Sequence, residues 1–115
     1  MMRLVLAGAV VSLSMASQVM AAPAGPSLLV IHHTVADYAQ WRPGYDAHKS
    51  VRDAAGLSNC TVRTAIGKPT DVFIACEISD LAKAKAFTTS KSLVVAMKKA
   101  GVVGKPDFYL LGPAR

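Results

Sequence analysis

The chain predicts an α+β fold in which strands and helices follow the order β-α-β-β-α-β. Three observations lead there. An apolar strand (28–35) runs into a stretch with helical spacing. Two β-rich runs then flank a Gly-Lys-Pro-Thr turn at 67–70. A second helical region (80–100) leads into a short terminal strand, PDFYLL.

In residues 28–35, Leu29, Ile31, His33 and Val35 alternate with Leu28, Val30, His32 and Thr34. Both sets are largely apolar, so the strand is expected to be central and covered on both faces. Asp37 is expected to cap a short turn through Trp41. Pro43 then fits the first turn of a helix running to about Ala55, because the N–H that proline lacks has no partner there. Gly56 stops that helix. Trp41, Tyr45, His48 and Arg52 are spaced 4, 3 and 4 apart and share one helical face. Residues 58–65 and 71–77 form a hairpin. If its register centres on Lys68, Cys60 faces Cys76, and Val62, Val72 and Ile74 share their side. Arg63, Phe73 and Glu77 take the other, where an Arg63–Glu77 ion pair is expected. Ser79 is read as the N-cap of a helix from Asp80 to Phe87, and Ser90 as the cap of a second piece from Lys91 to Ala100. Residues 102–105 read as a connector. Residues 106–111 read as the last strand, with Pro106 at its start, where a sheet tolerates proline.

This order is the ferredoxin-like split βαβ arrangement, a four-stranded antiparallel sheet with its helices on one face. The sheet face carrying Val30, Phe73 and Ala75 is too apolar to leave wet, and a sheet-to-sheet homodimer would cover it. The domain is expected over residues 28–112, after a flexible linker at 22–27.

The first 21 residues read as a secretory signal peptide. Arg3 gives the charged start, residues 4–15 are apolar, and Val19 and Ala21 suit a cleavage site. The apolar run is shorter than the ~20 residues of a membrane span. The expected location is therefore periplasmic or secreted, with no stable membrane insertion after cleavage. The net charge of +6 is dispersed, and no arginine run is interleaved with aromatics, so nucleic acid is not an expected partner. In an oxidising compartment the two cysteines, Cys60 and Cys76, raise three options: a disulfide, two buried thiols or a redox pair. Export favours the disulfide, and the spacing lacks C-x-x-C.

All three histidines, the one tryptophan and two of the three tyrosines lie within residues 28–56. Alternation places His33 with Trp41, Tyr45, His48 and Arg52, and sends His32 to the dimer face. His33 or His48 could act as a base near neutral pH, and Arg52 could hold an oxyanion. Trp41 and Tyr45 would contact a ligand. The plain alternative is a small core in which Trp41 and Tyr45 are packing. No metal is expected, because no carboxylate or cysteine cluster accompanies the histidines. No motif implies another cofactor.

The segments HHTVADYAQW, PGYDAHKSVRDAAG and AFTTSKSLVVAMKKAGVVGKPDFYLL resemble the dimeric α/β-barrel superfamily, and more narrowly small proteins related to antibiotic-biosynthesis monooxygenases. The resemblance implies a ferredoxin-like monomer, a homodimer and a pocket between sheet and helices. That superfamily includes cofactor-independent oxygenases, isomerases and haem enzymes. Three functions follow as expectations: a binder of a small organic ligand, a cofactor-independent monooxygenase or cyclase-like enzyme, or an interaction module without a ligand.

Overall fold

The computed structural model describes residues 25–114, so the expected signal segment and residues 22–24 of the expected linker lie outside the described residues, and Ser27 already belongs to the first strand. The elements are β1 (Ser27–Val35), α1 (Tyr38–Ala47), α2 (Lys49–Ala54), β2 (Leu57–Ala65), β3 (Lys68–Ile78), α3 (Leu81–Thr88), α4 (Lys91–Lys99) and β4 (Val102–Leu111). They form one four-stranded sheet in the order β2-β3-β1-β4, with every neighbouring pair antiparallel. This is the expected ferredoxin-like α+β fold.

Alternation along β1 sets the two faces of the sheet. Leu29, Ile31, His33 and Val35 are buried, and their neighbours are half-buried. The buried set packs with Val72, Ile74 and Cys76 of β3. Trp41, Ala55, Ala84, Phe87 and Leu93 close over them from the helical layer. The hairpin register matches the expectation over Thr61↔Ala75 to Thr64↔Val72. It slips between Ser58 and Thr61, where Asn59 adopts a φ of 49°, the mark of an extra residue bulged out of the strand.

Several local expectations are corrected. The first helix begins at Tyr38, because the Asp37 side chain accepts from the Gln40 amide at 3.0 Å and caps it directly. Pro43 therefore lies inside α1 rather than in its first turn. The helix breaks at His48 into α1 and α2. Asp80, not Ser79, caps α3, accepting from the Lys83 amide at 3.0 Å. Ser90 caps α4 as expected, accepting from the Leu93 amide at 3.2 Å. Residues 102–105 are strand rather than connector. Val102 and Val103 pair with Val35 and Thr34, and the register then jumps opposite His33. Gly104, with a φ of 75°, supplies the left-handed backbone for that irregularity. Arg63 and Glu77 make no ion pair within the chain among the described residues. Arg63 faces Phe73 and Glu77 faces Ser58 across the hairpin.

Candidate functional site

Between the helical layer and the sheet lies a cavity of about 50 Å³ open to the centre of a water-sized sphere. One water needs ~10–15 Å³ on that measure. Ile31, His33, Ile74 and Cys76 form its floor. One wall is Trp41, Gly44, Tyr45, His48 and Arg52 from α1, α2 and the joint between them. Phe87, Leu93 and Met97 form the opposite wall. Helix α1 can approach α4 closely because Gly44 has no Cβ. One built there would stand 3.2 Å from the Ala100 Cβ.

The expected group thus comes together. The His33 ring meets the Trp41 edge at 5.5 Å between centroids. Trp41 stacks on Tyr45 at 5.0 Å, and the Arg52 guanidinium lies 3.7 Å from the Tyr45 ring centre. The rings stand side by side because 41 and 45 are one helical turn apart on the face that packs against β1. His48 sits where α1 ends and meets Phe87 at 6.4 Å. His33 is 3% exposed, and both its ring nitrogens are buried without a hydrogen-bond partner. Burial, with a smaller push from His32, lowers its pKa to about 4, so it is neutral at pH 7. Desolvation, then the nearby Arg52 charge, lowers His48 as well. Arg52 is 7% exposed and donates from Nη1 to the Tyr45 carbonyl at 2.6 Å.

Cys60 and Cys76 are joined by a disulfide, with Cα atoms 4.0 Å apart. It ties the bulged part of β2 to β3, and Cys76 faces the cavity.

His32 occupies the opposite sheet face, as alternation requires. There it stacks on Phe73 at 4.4 Å and contacts Asp71 through Nε2 and Asp107 through Nδ1, the latter at 3.3 Å. Sequence reasoning missed these carboxylates. Asp107 is the cross-strand partner of His32 in β4, and Asp71 is diagonal to it in β3. Asp107 lies in the expected last strand, but the pairing that sets it beside His32 follows from the β1–β4 register, which no local pattern gives. Phe87, Leu93 and Met97 also line the cavity, and no motif singles them out in the sequence. Their helical stripe announces burial but not that the burial is incomplete. Among the described residues no cluster of three or more His, Cys, Asp or Glu side chains could hold a metal ion.

No family model matches the chain, and no curated protein matches it in sequence. Solved structures do match it. A protein from Bordetella bronchiseptica, provisionally named an antibiotic biosynthesis monooxygenase, aligns at 13% identity over 75% of this chain and 95% of its own, with a TM-score of 0.61. SnoaB, a cofactor-independent oxygenase from Streptomyces nogalater, aligns at 11% identity over 79% and 95%, with a TM-score of 0.58. A dimeric ferredoxin-like protein from an uncultured marine organism aligns at 12% identity over 78% and 89%, with a TM-score of 0.51. Likeness at such identities is likeness of fold, and the chain has the ferredoxin-like fold of the antibiotic biosynthesis monooxygenase structures.

Proposed function

We propose that the protein binds a small organic ligand in the cavity between α1–α2, α3–α4 and the sheet. The observation that carries this reading is His33. A buried imidazole with both nitrogens unpartnered costs ~1–3 kcal/mol of stability, and a leucine would fill the position without that cost. A ligand hydroxyl or carbonyl in the cavity would satisfy it, while the aromatic and aliphatic walls take the apolar body. The interaction-module reading requires Trp41 and Tyr45 to fill the space, and a cavity remains beside them. Trp41 is the chain's single tryptophan, so its fluorescence reports the site directly. Titration with phenol, p-cresol and indole should give a saturable change that His33→Leu weakens at least tenfold. Unsaturable changes, or identical curves for parent and variant, would refute it.

A second reading is cofactor-independent oxygenase or isomerase chemistry, favoured by the named oxygenase among the fold neighbours. In that case His48 is the better base. The lowered pKa of His33 makes it a weak proton acceptor and suits it to orienting a substrate hydroxyl. Oxygen uptake with hydroquinone substrates tests this beside His48→Ala and Arg52→Ala, and equal rates in all three proteins exclude those roles.

The reading includes export by the N-terminal segment and a homodimer formed by the sheet faces. Two observations support the dimer. Phe73, Tyr109 and Leu111 are exposed apolar side chains on that face, and one fold neighbour is named as dimeric. The disulfide is consistent with an oxidising compartment. No helix among the described residues is long and apolar enough to cross a membrane.

A further inference from the structure

We propose that Arg52 is a carboxylate receptor, and that the cavity's ligand is a mainly apolar monocarboxylic acid whose body carries its hydroxyl or carbonyl toward His33 and whose anionic end meets the guanidinium. This rests on the cavity reading above and adds the ligand's charge and orientation.

A guanidinium carries five N–H donors in a planar fork. In Arg52 the side chain makes one hydrogen bond among the described residues, to the Tyr45 carbonyl. Its plane is sheltered by the Tyr45 ring. It has no carboxylate partner, although two acids stand nearby, Asp46 on α1 and Asp53 on α2. Each is engaged elsewhere: Asp46 accepts from Arg42 Nε at 3.0 Å, and Asp53 accepts from Lys49 Nζ at 2.8 Å. The local count is therefore three cations against two carboxylates, and the cation left over is the buried one. Arg52 is 7% exposed, so its guanidinium keeps only a narrow contact with solvent, and a charge so sheltered gains most from a counter-ion.

The position of Arg52 says where the missing anion would lie. Arg52 lines the cavity and also a neighbouring groove of about 480 Å³. Tyr45 and Leu57 line both as well, so these three residues form the partition between the two spaces. The groove is polar, bordered by Arg42, Lys49, Asp46 and Asp53, whereas the cavity is walled mainly by aromatic and aliphatic side chains. A molecule spanning the partition would have an apolar end inside and a charged end at Arg52. A planar carboxylate matches the guanidinium fork with two parallel hydrogen bonds. The plain alternative is that Arg52 is a bracket for the α1–α2 joint. That role uses the Tyr45 carbonyl and confers no preference for an acid over its amide.

Paired probes separate these cases: phenylacetate, 4-hydroxyphenylacetate and hexanoate, each beside its neutral amide, titrated at pH 7.5 and low salt with Trp41 fluorescence as the readout. The proposal expects each acid to bind at least tenfold more tightly than its amide. It also expects Arg52→Gln to abolish that difference and Arg52→Lys to retain part of it. Equal affinity of acids and amides overturns the proposal and leaves the cavity reading standing. A preference that survives in Arg52→Gln places the carboxylate elsewhere and also overturns it. If neither series perturbs Trp41, the cavity reading falls with it. The acid–amide comparison is made on the unaltered protein, so it holds even if a variant fails to fold.

Discussion

His32 and His33 are adjacent and face opposite environments, and their protonation pulls stability in opposite directions. The hydrogen bond to Asp71 is the main cause holding the His32 pKa above 6.5. Its contribution is therefore full below pH 6.5 and is lost as pH rises through its folded value. His33 is depressed to about 4. The unfolded chain takes up that proton near pH 6.5 and the folded chain does not. Stability thus falls as pH drops from 6.5 toward 4, by about 3 kcal/mol for this group. Urea denaturation should show a maximum near pH 6.5. His33→Leu should flatten the acid side and raise stability at pH 5 by roughly 1–3 kcal/mol, and His32→Gln should flatten the alkaline side. A His33→Leu protein less stable than the parent at both pH 5 and pH 7.5 would show that the imidazole is a satisfied structural group. The opposed directions of these two side chains were legible from alternation alone. The lack of any partner for His33 was not, since it depends on side chains from α1 and α4 that no local pattern places.

At the level of elements, two devices hold the cavity walls. The first is the Cys60–Cys76 bridge, which closes a loop with a sequence separation of 16. A loop of that size contributes ~3 kcal/mol through restriction of the unfolded chain. For a domain this small that corresponds to a fall in Tm of roughly 10–20 °C when both cysteines become alanine, measurable by calorimetry. An unchanged Tm would mean that the bridge does not form. The second device is the Asp37 cap, whose removal by Asp37→Ala should cost ~1 kcal/mol and loosen the wall bearing Trp41. The cap residue itself was recognisable in the sequence, as was the register that sets Cys60 against Cys76. The start of the helix was misplaced because Pro43 is a strong first-turn signal. Here the Asp37 cap and the burial of Trp41 outweigh it. The length of β4 was hidden because Gly104 looks like a loop residue and Pro106 like a strand start, whereas both fall in the irregular stretch between Val103 and Asp107.

At the scale of the whole molecule, the strand order, the antiparallel pairing and the single helical layer followed from the sequence of elements. The second sheet face was predicted apolar, and Phe73, Tyr109 and Leu111 are exposed there. A homodimer burying this face should sediment at twice the chain mass, and Tyr109→Asp should shift it to the monomer. An unaltered protein that sediments as a monomer at micromolar concentration would remove the dimer from the account. His32 lies on the same face between Asp71 and Asp107. Raising the pH therefore leaves two carboxylates beside a neutral ring and should weaken that association.

The central claim is that His33 awaits a ligand, and histidine-ring NMR tests it most directly. In protein with 15N-labelled histidine, the account predicts that His33 titrates near pH 4. Added p-cresol should shift its ring nitrogens saturably and leave those of His32 in place. A His33 signal that titrates near 6.5, or that stays fixed while the ligand concentration rises to saturation, would contradict it.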